Sequence, residues 1–127
     1  MSAVCPAPSD HGSLESDFAE VVAAIESGIR ARIENLWTAF EQTLLAHFEL
    51  EERTMVADLM EVRPRQARIL LEEHRYLRGR LAQLGATLPA VPVQSARTFL
   101  DELRAHGRHE DRVLYPWAAS RRGMLDP

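Results

Sequence analysis

The chain contains no lysine: all 15 of its basic residues are arginine. That excludes Schiff-base chemistry and the phosphate-gripping lysine of a nucleotide-binding loop. Cys5 is the single cysteine among 127 residues, so no disulfide can close within the chain and a cytoplasmic, reducing compartment is expected. Cys5 itself is a weak candidate for redox chemistry or for pairing between molecules. No stretch approaches the roughly 18 uninterrupted apolar residues of a membrane span, and Met1 to Ser9 lack the basic start and apolar core of a signal peptide. A clustered basic excess is missing as well. The net charge is −4 and the pI is near 5.7, which argues against a nucleic-acid partner. Runs of β-branched residues with alternating polarity are absent, so strands are not expected.

What is present is a helix-forming composition of Ala, Leu, Glu and Arg, with 46% apolar and 27% charged residues, as in an ordinary globular domain. Gly28, Pro64 and the cluster Gly85, Pro89, Pro92 cut it into four long stretches. The first begins after Ser9-Asp10, which serve as N-caps, and runs to about Ser27. The second runs from about Ile29 to Leu59. The third starts near Pro64, a tolerated first-turn proline, and stops at Gly85. The fourth opens near Gln94-Ser95 and runs to about Ala119, with Pro116 bending or ending its last turns. The expected organisation is a flexible tail over residues 1–9, one domain over 10–120 and a second tail over 121–127.

Each stretch carries one apolar seam with steps of three and four. The seams are His11, Leu14, Phe18, Val21, Ile25; then Ile33, Trp37, Phe40, Leu44, His47, Glu51, Met55; then Leu70, His74, Leu77, Leu81, Leu84; then Phe99, Leu103, His106, Glu110, Val113, Trp117. This spacing keeps one stripe facing a common axis. The fold class it predicts is all-α, an up-down-up-down antiparallel four-helix bundle.

Four of the five histidines occupy seam positions, one on each helix. A lone seam histidine is ordinarily a hydrogen-bonded core residue; four of them need partners together, because buried polar groups are costly without them. His47 and His106 each have a carboxylate four residues later, Glu51 and Glu110, on the same helical face. Height along the bundle links the four. The midpoint of His11 and His47 is residue 29, that of His47 and His74 lies between 60 and 61, and that of His74 and His106 is residue 90. All three midpoints fall in expected turns, which puts the imidazoles at one level with Glu51 and Glu110 one turn away.

Metal coordination satisfies four imidazoles and two carboxylates in an apolar interior. Six ligands exceed the four of a structural zinc site. They suit two metals, each held by two imidazoles, with the carboxylates bridging and a hydroxide or oxo group balancing charge. The mixed donors favour iron or manganese, with zinc or cobalt as substitutes. The order His, His-x-x-x-Glu, His, His-x-x-x-Glu differs from the Glu-x-x-His pattern of ferritin-like proteins.

The lines Ser9-Asp10-His11, "LLAHFELEER", "EEHRYL" and "LRAHGRHEDRVLYPW" resemble the hemerythrin-like, or HHE cation-binding, domain family from residue 10 to about 119. "AHFELEER" also recurs as "AHGRHEDR", offset by 59 residues. The resemblance implies a non-haem di-iron site that binds or reacts with dioxygen and related small ligands, with His11, His47, Glu51, His74, His106 and Glu110 as metal ligands. Oxygen-carrying members have a further histidine four residues beyond the ligand on the third helix, where this chain has Arg78. Arginine cannot coordinate, so an open metal position and reaction with peroxide or dioxygen, rather than reversible carriage, are expected.

Around these six, Arg78 has two readings: a cation behind the site that steadies an anionic ligand or orients Glu51 or Glu110, or a side chain turned outward onto a surface acid. His109 is read as a solvated or helix-facing histidine, with a place against the ligands as the other reading. Glu52 and Asp111 are expected to be solvated, and Trp37, Phe40 and Trp117 to pack the core. Three functions compete: a di-iron protein responding to dioxygen, peroxide or nitric oxide by sensing, scavenging or turnover; a non-catalytic iron or zinc sensor or buffer; and an interaction module stabilised by metal. Self-association into a homo-oligomer stays open, and the sequence names no protein partner. From the ordinary histidine value near 6.5, metal is expected to leave below about pH 6.

Overall fold

The computed structural model describes residues 8–125, with side chains over 10–121. Its elements in chain order are α1 (Pro8–Ser27), α2 (Arg30–Glu51), a π-helical turn (Glu52–Val56), α3 (Ala57–Val62), α4 (Pro64–Gly85) and α5 (Val93–Leu125), and no strand occurs among the described residues. α2, the π turn and α3 form one continuous pass, so the chain crosses the bundle four times. α1 packs on α2 and α5, α4 packs on α5, and α3 packs on α4, the arrangement of an antiparallel four-helix bundle.

The three reversals fall where glycine and proline predict them. Gly28 adopts φ 72°, and its N–H bonds the carbonyls of Ala24 and Ile25 at 3.0 and 3.2 Å; glycine takes this left-handed conformation without a Cβ penalty. Arg63 alone links α3 to α4, in a non-helical conformation (φ −135°, ψ 69°) that the following Pro64 favours. Residues 86–92 make the third reversal, with a cis Leu88-Pro89 bond.

Four expectations are corrected. α1 starts at Pro8, which puts Ser9 and Asp10 inside the first turn rather than before it. The second pass extends to Val62, and a π turn interrupts it directly after Glu51. A π turn holds an extra residue per turn, and here it buries both Met55 and Val56. The last helix runs through Pro116 to Leu125 instead of ending near Ala119. Its buried face also leaves the expected seam: Leu114, Tyr115 and Ala118 are buried, whereas Val113 and Trp117 are half-buried. This part of α5 packs with the π turn, α3 and α4, and its inward face turns toward them. Cys5 lies outside the described residues, as do positions 1–7 and 126–127 of the expected tails.

Two apolar clusters fill the interior. The larger surrounds Phe18, whose ring centroid is 4.8 Å from Phe40 and 4.9 Å from Phe99, with Trp37 edge-on at 6.0 Å. Each such buried ring contributes about 1.5–3 kcal/mol. The smaller joins Met55, Val56, Leu59, Ala67, Leu70, Leu114, Tyr115 and Ala118 at the opposite end. Trp117 packs on this cluster's edge, with the Arg121 guanidinium 5.5 Å from its ring. No helix among the described residues is long and apolar enough to cross a membrane. A polar layer separates the clusters.

Candidate metal centre

Each pass contributes to that layer. His11 stands on the first turn of α1, His47 and Glu51 lie one turn apart at the end of α2, His74 lies in the middle of α4, and His106 and Glu110 lie one turn apart on α5. Glu51, His74 and Glu110 are completely buried, His11 and His106 nearly so, and the His47 side chain is only 8% exposed. The structure therefore brings all six seam residues together.

The imidazoles surround the two carboxylates with their Nε2 atoms. Glu51 Oε2 lies 3.2 Å from His47 and 3.7 Å from His11, while its Oε1 lies 3.2 Å from His74. Glu110 Oε1 lies 3.0 Å from His11 and 3.2 Å from His106, and its Oε2 lies 3.2 Å from His74. The donors form two groups, His11/His47/Glu51/Glu110 and His74/His106/Glu51/Glu110, within each of which the donor atoms lie within 4.8 Å of one another. His47 Nε2, His106 Nε2, Glu51 Oε1 and Glu110 Oε1 are buried yet make no hydrogen bond. Buried polar atoms short of hydrogen-bond partners are costly, and a cation in each of two donor groups would satisfy all four. The donor set fits two metal ions sharing the carboxylates.

The electrostatics agree. Burial pushes the His11 and His74 imidazoles down, but the Glu110 and Glu51 carboxylates outweigh it and raise both to about 10. His106 is likewise raised against burial by Glu110 and Glu73. Burial works to raise Glu51 and Glu110, yet the surrounding imidazoles hold both well below the ordinary carboxylate range. Without metal, the two acids stay ionised and protonated imidazoles balance their charge.

The outward Nδ1 atoms reveal an order that the sequence reading missed. His74 Nδ1 donates to Glu52 at 2.7 Å and His106 Nδ1 to Glu73 at 2.7 Å. His11 Nδ1 donates to Asp111 at 3.1 Å, and His47 Nδ1 faces Asp10 at 3.9 Å. These acids follow a repeated plan. One hairpin reads Asp10-His11 and then His47, Glu51-Glu52; the other reads Glu73-His74 and then His106, Glu110-Asp111. The acid before the odd histidine faces the histidine of its own hairpin, and the acid after the shared glutamate faces the other hairpin. The echo of "AHFELEER" in "AHGRHEDR" carried part of this signal. Carboxylates in such positions fix ring orientation and raise ligand basicity.

Glu52 is therefore half-buried and bonded to His74 and Arg78, not solvated as expected. Asp111 is exposed as expected but still meets His11. Arg78 takes a course between its two readings: its guanidinium forks onto Glu52 at 2.7 and 3.0 Å, lies 5.5 Å from the Phe48 ring, and reaches neither shared glutamate. His109 is half-buried outside the six and shares Glu73 with His106, at 2.8 and 3.0 Å from its two oxygens. Tyr115, to which no role was assigned, is buried here, and its hydroxyl donates to Glu51 Oε2 at 2.6 Å and lies 3.4 Å from His11 Nε2.

A cavity of about 10 Å³ adjoins the cluster, bounded by His11, His47, His106 and Glu110 on one side and by Leu14, Leu44, Phe48 and Leu103 on the other. That is room for one water-sized sphere. Gly107 also borders it, where a Cβ would lie 3.4 Å from the His11 ring.

The model of the hemerythrin HHE cation binding domain matches residues 9–118. No curated protein and no solved structure matches the chain.

Proposed function

Because the chain belongs to the hemerythrin HHE cation-binding family, we propose that it is a non-haem di-iron protein that binds or reacts with dioxygen, peroxide or nitric oxide. One observation carries the reading: two four-donor groups, each with two imidazoles, share Glu51 and Glu110. His11 and His47 would hold one ion and His74 and His106 the other, each through Nε2, with the glutamates bridging and an oxo or hydroxo group completing the charge balance. Two imidazoles and two shared carboxylates leave positions available on each ion, and mixed N/O donors suit iron, with manganese or zinc able to replace it.

An iron pair supplies electrons and open coordination positions for a small oxygen ligand. The protein's own residues set the conditions. Glu52, Glu73 and Asp111 accept from Nδ1 and keep His74, His106 and His11 turned inward. Leu14, Leu44, Phe48 and Leu103 make an apolar wall beside the donors, and the cavity between them has room for one water-sized sphere. The Tyr115 hydroxyl is the one phenolic O–H bonded within the donor layer.

Elemental analysis with an optical spectrum, on protein expressed in iron-replete medium, tests the reading. Two irons per chain and near-ultraviolet to visible charge-transfer absorption that changes with peroxide, dioxygen or nitric oxide would support it. Bound metal with no response to any of the three would favour a metal sensor or buffer instead.

A further inference from the structure

The two halves of the centre follow one plan but are built from different acids. Two aspartates, Asp111 and Asp10, stand behind His11 and His47, at 3.1 and 3.9 Å. Two glutamates, Glu52 and Glu73, stand behind His74 and His106, both at 2.7 Å. The aspartates lie farther from their rings than the glutamates do, and their side chains are 43% and 47% exposed against 23% and 33% for the glutamates. The glutamates are themselves pinned, Glu52 by Arg78 and Glu73 by His109. The shared Glu51 is also polarised: Tyr115 donates to Oε2, the oxygen facing His47 and His11, while Oε1 faces His74. A phenol bonded to one carboxylate oxygen draws electron density from it and occupies a lone pair that a metal would use.

We propose that the two metal positions are unequal: an ion between His74 and His106 is retained, and an ion between His11 and His47 is exchangeable. This rests on the two-ion reading above. Outer hydrogen bonds of this kind change metal affinity by about 10–100-fold. The longer aspartate contacts and the Tyr115 bond act in the same direction, so the gap between the two positions is about tenfold or more. The geometry thus makes Glu52, Glu73 and Tyr115 positioning residues that set filling order.

Anaerobic titration of metal-free protein with cobalt(II), followed by optical spectra and by the histidine ring proton resonances, tests it. Two separate steps are expected, and the first equivalent should perturb His74 and His106 before His11 and His47. Y115F, which keeps the ring and its packing, should tighten the second step and leave the first unchanged. Asp10→Glu with Asp111→Glu should also tighten the second step, while Glu73→Gln should weaken the first. Two steps of equal affinity, or His11 and His47 responding first, would overturn the inference and leave the two-ion reading intact. Fewer than two cobalt ions at saturation would overturn both.

Discussion

Glu51 and Glu52 are consecutive, yet they meet the two opposite nitrogens of one ring: Glu51 Oε1 lies 3.2 Å from His74 Nε2, and Glu52 Oε2 accepts from Nδ1 at 2.7 Å. Neighbouring side chains on a regular helix diverge by about 100°. Here the His74 ring of α4 fits into that fork, with both residues in ordinary helical conformation.

Glu52→Ala should therefore act on the metal through His74. It removes the Nδ1 acceptor and frees Arg78, and total metal affinity should fall about 10–100-fold. Arg78→Ala should produce a smaller fall, because Glu52 still meets the ring. Competition with a chromophoric chelator measures both, with far-ultraviolet circular dichroism showing that the helices persist. Equal affinity in Glu52→Ala and the parent would remove the role given to that contact.

The pH dependence runs in opposite directions with and without metal. His11 and His74 are raised to about 10 from 6.5 in the folded chain. Their contribution to metal-free stability is fully present below 6.5 and is lost as pH rises through 10. Glu52 and Glu73, held below 4.5 against their burial by Arg78, His74, His106 and His109, contribute above 4.5 and lose that contribution in acid. The metal-free protein should be most stable between about pH 4.5 and 6.5, as urea midpoints across pH would show. Metal needs neutral imidazoles, so its binding at pH 7 should release at least two protons per chain, with the product of both affinities rising about 100-fold per pH unit. A pH indicator in weak buffer measures the release. The proton competition extends well above the pH of about 6 that unperturbed histidines predict.

Glu51→Gln should show how much the buried charges support the metal-free fold. Glu51 meets three imidazoles and Tyr115 with no solvent access. Removing one partner of such a buried cluster costs about 3–5 kcal/mol. Denaturant unfolding at pH 6 should show that loss, whereas Glu49→Gln, on the exposed side of the same turn, should leave the midpoint in place.

The bundle and its six central residues were legible because they depend on periodicity and turns alone. His11, His47, His74 and His106 take leucine positions, and Gly28, Pro64 and the residue 86–92 loop fix which seams face one another. The supporting acids were not legible in the same way. Glu52 follows Glu51 by one residue and lies off the seam, so the step pattern does not record that it meets the neighbouring helix. Glu73 and Asp10 lie beside their seams, and their partners become evident only when adjacent helices have a fixed separation. Tyr115 was hidden because the inward face of α5 leaves its seam there and turns toward the π turn, α3 and α4.

The apolar wall beside the donors gives a last prediction. Leu44 is completely buried and borders the 10 Å³ cavity together with His47 and Phe48. Leu44→Ala should destabilise the fold by about 2–5 kcal/mol, partly through the space it opens. That space lies against the donor layer, so azide, a small linear anion, should bind the iron-loaded variant faster than the parent. Phe18→Ala is the control. Its cost of about 3–5 kcal/mol is as large, but Phe18 packs among Trp37, Phe40 and Phe99 away from the cavity wall, and the azide rate should not change. Stopped-flow absorbance of both loaded variants makes the comparison, and a rate gained in Phe18→Ala but not in Leu44→Ala would show that small ligands do not approach past Leu44.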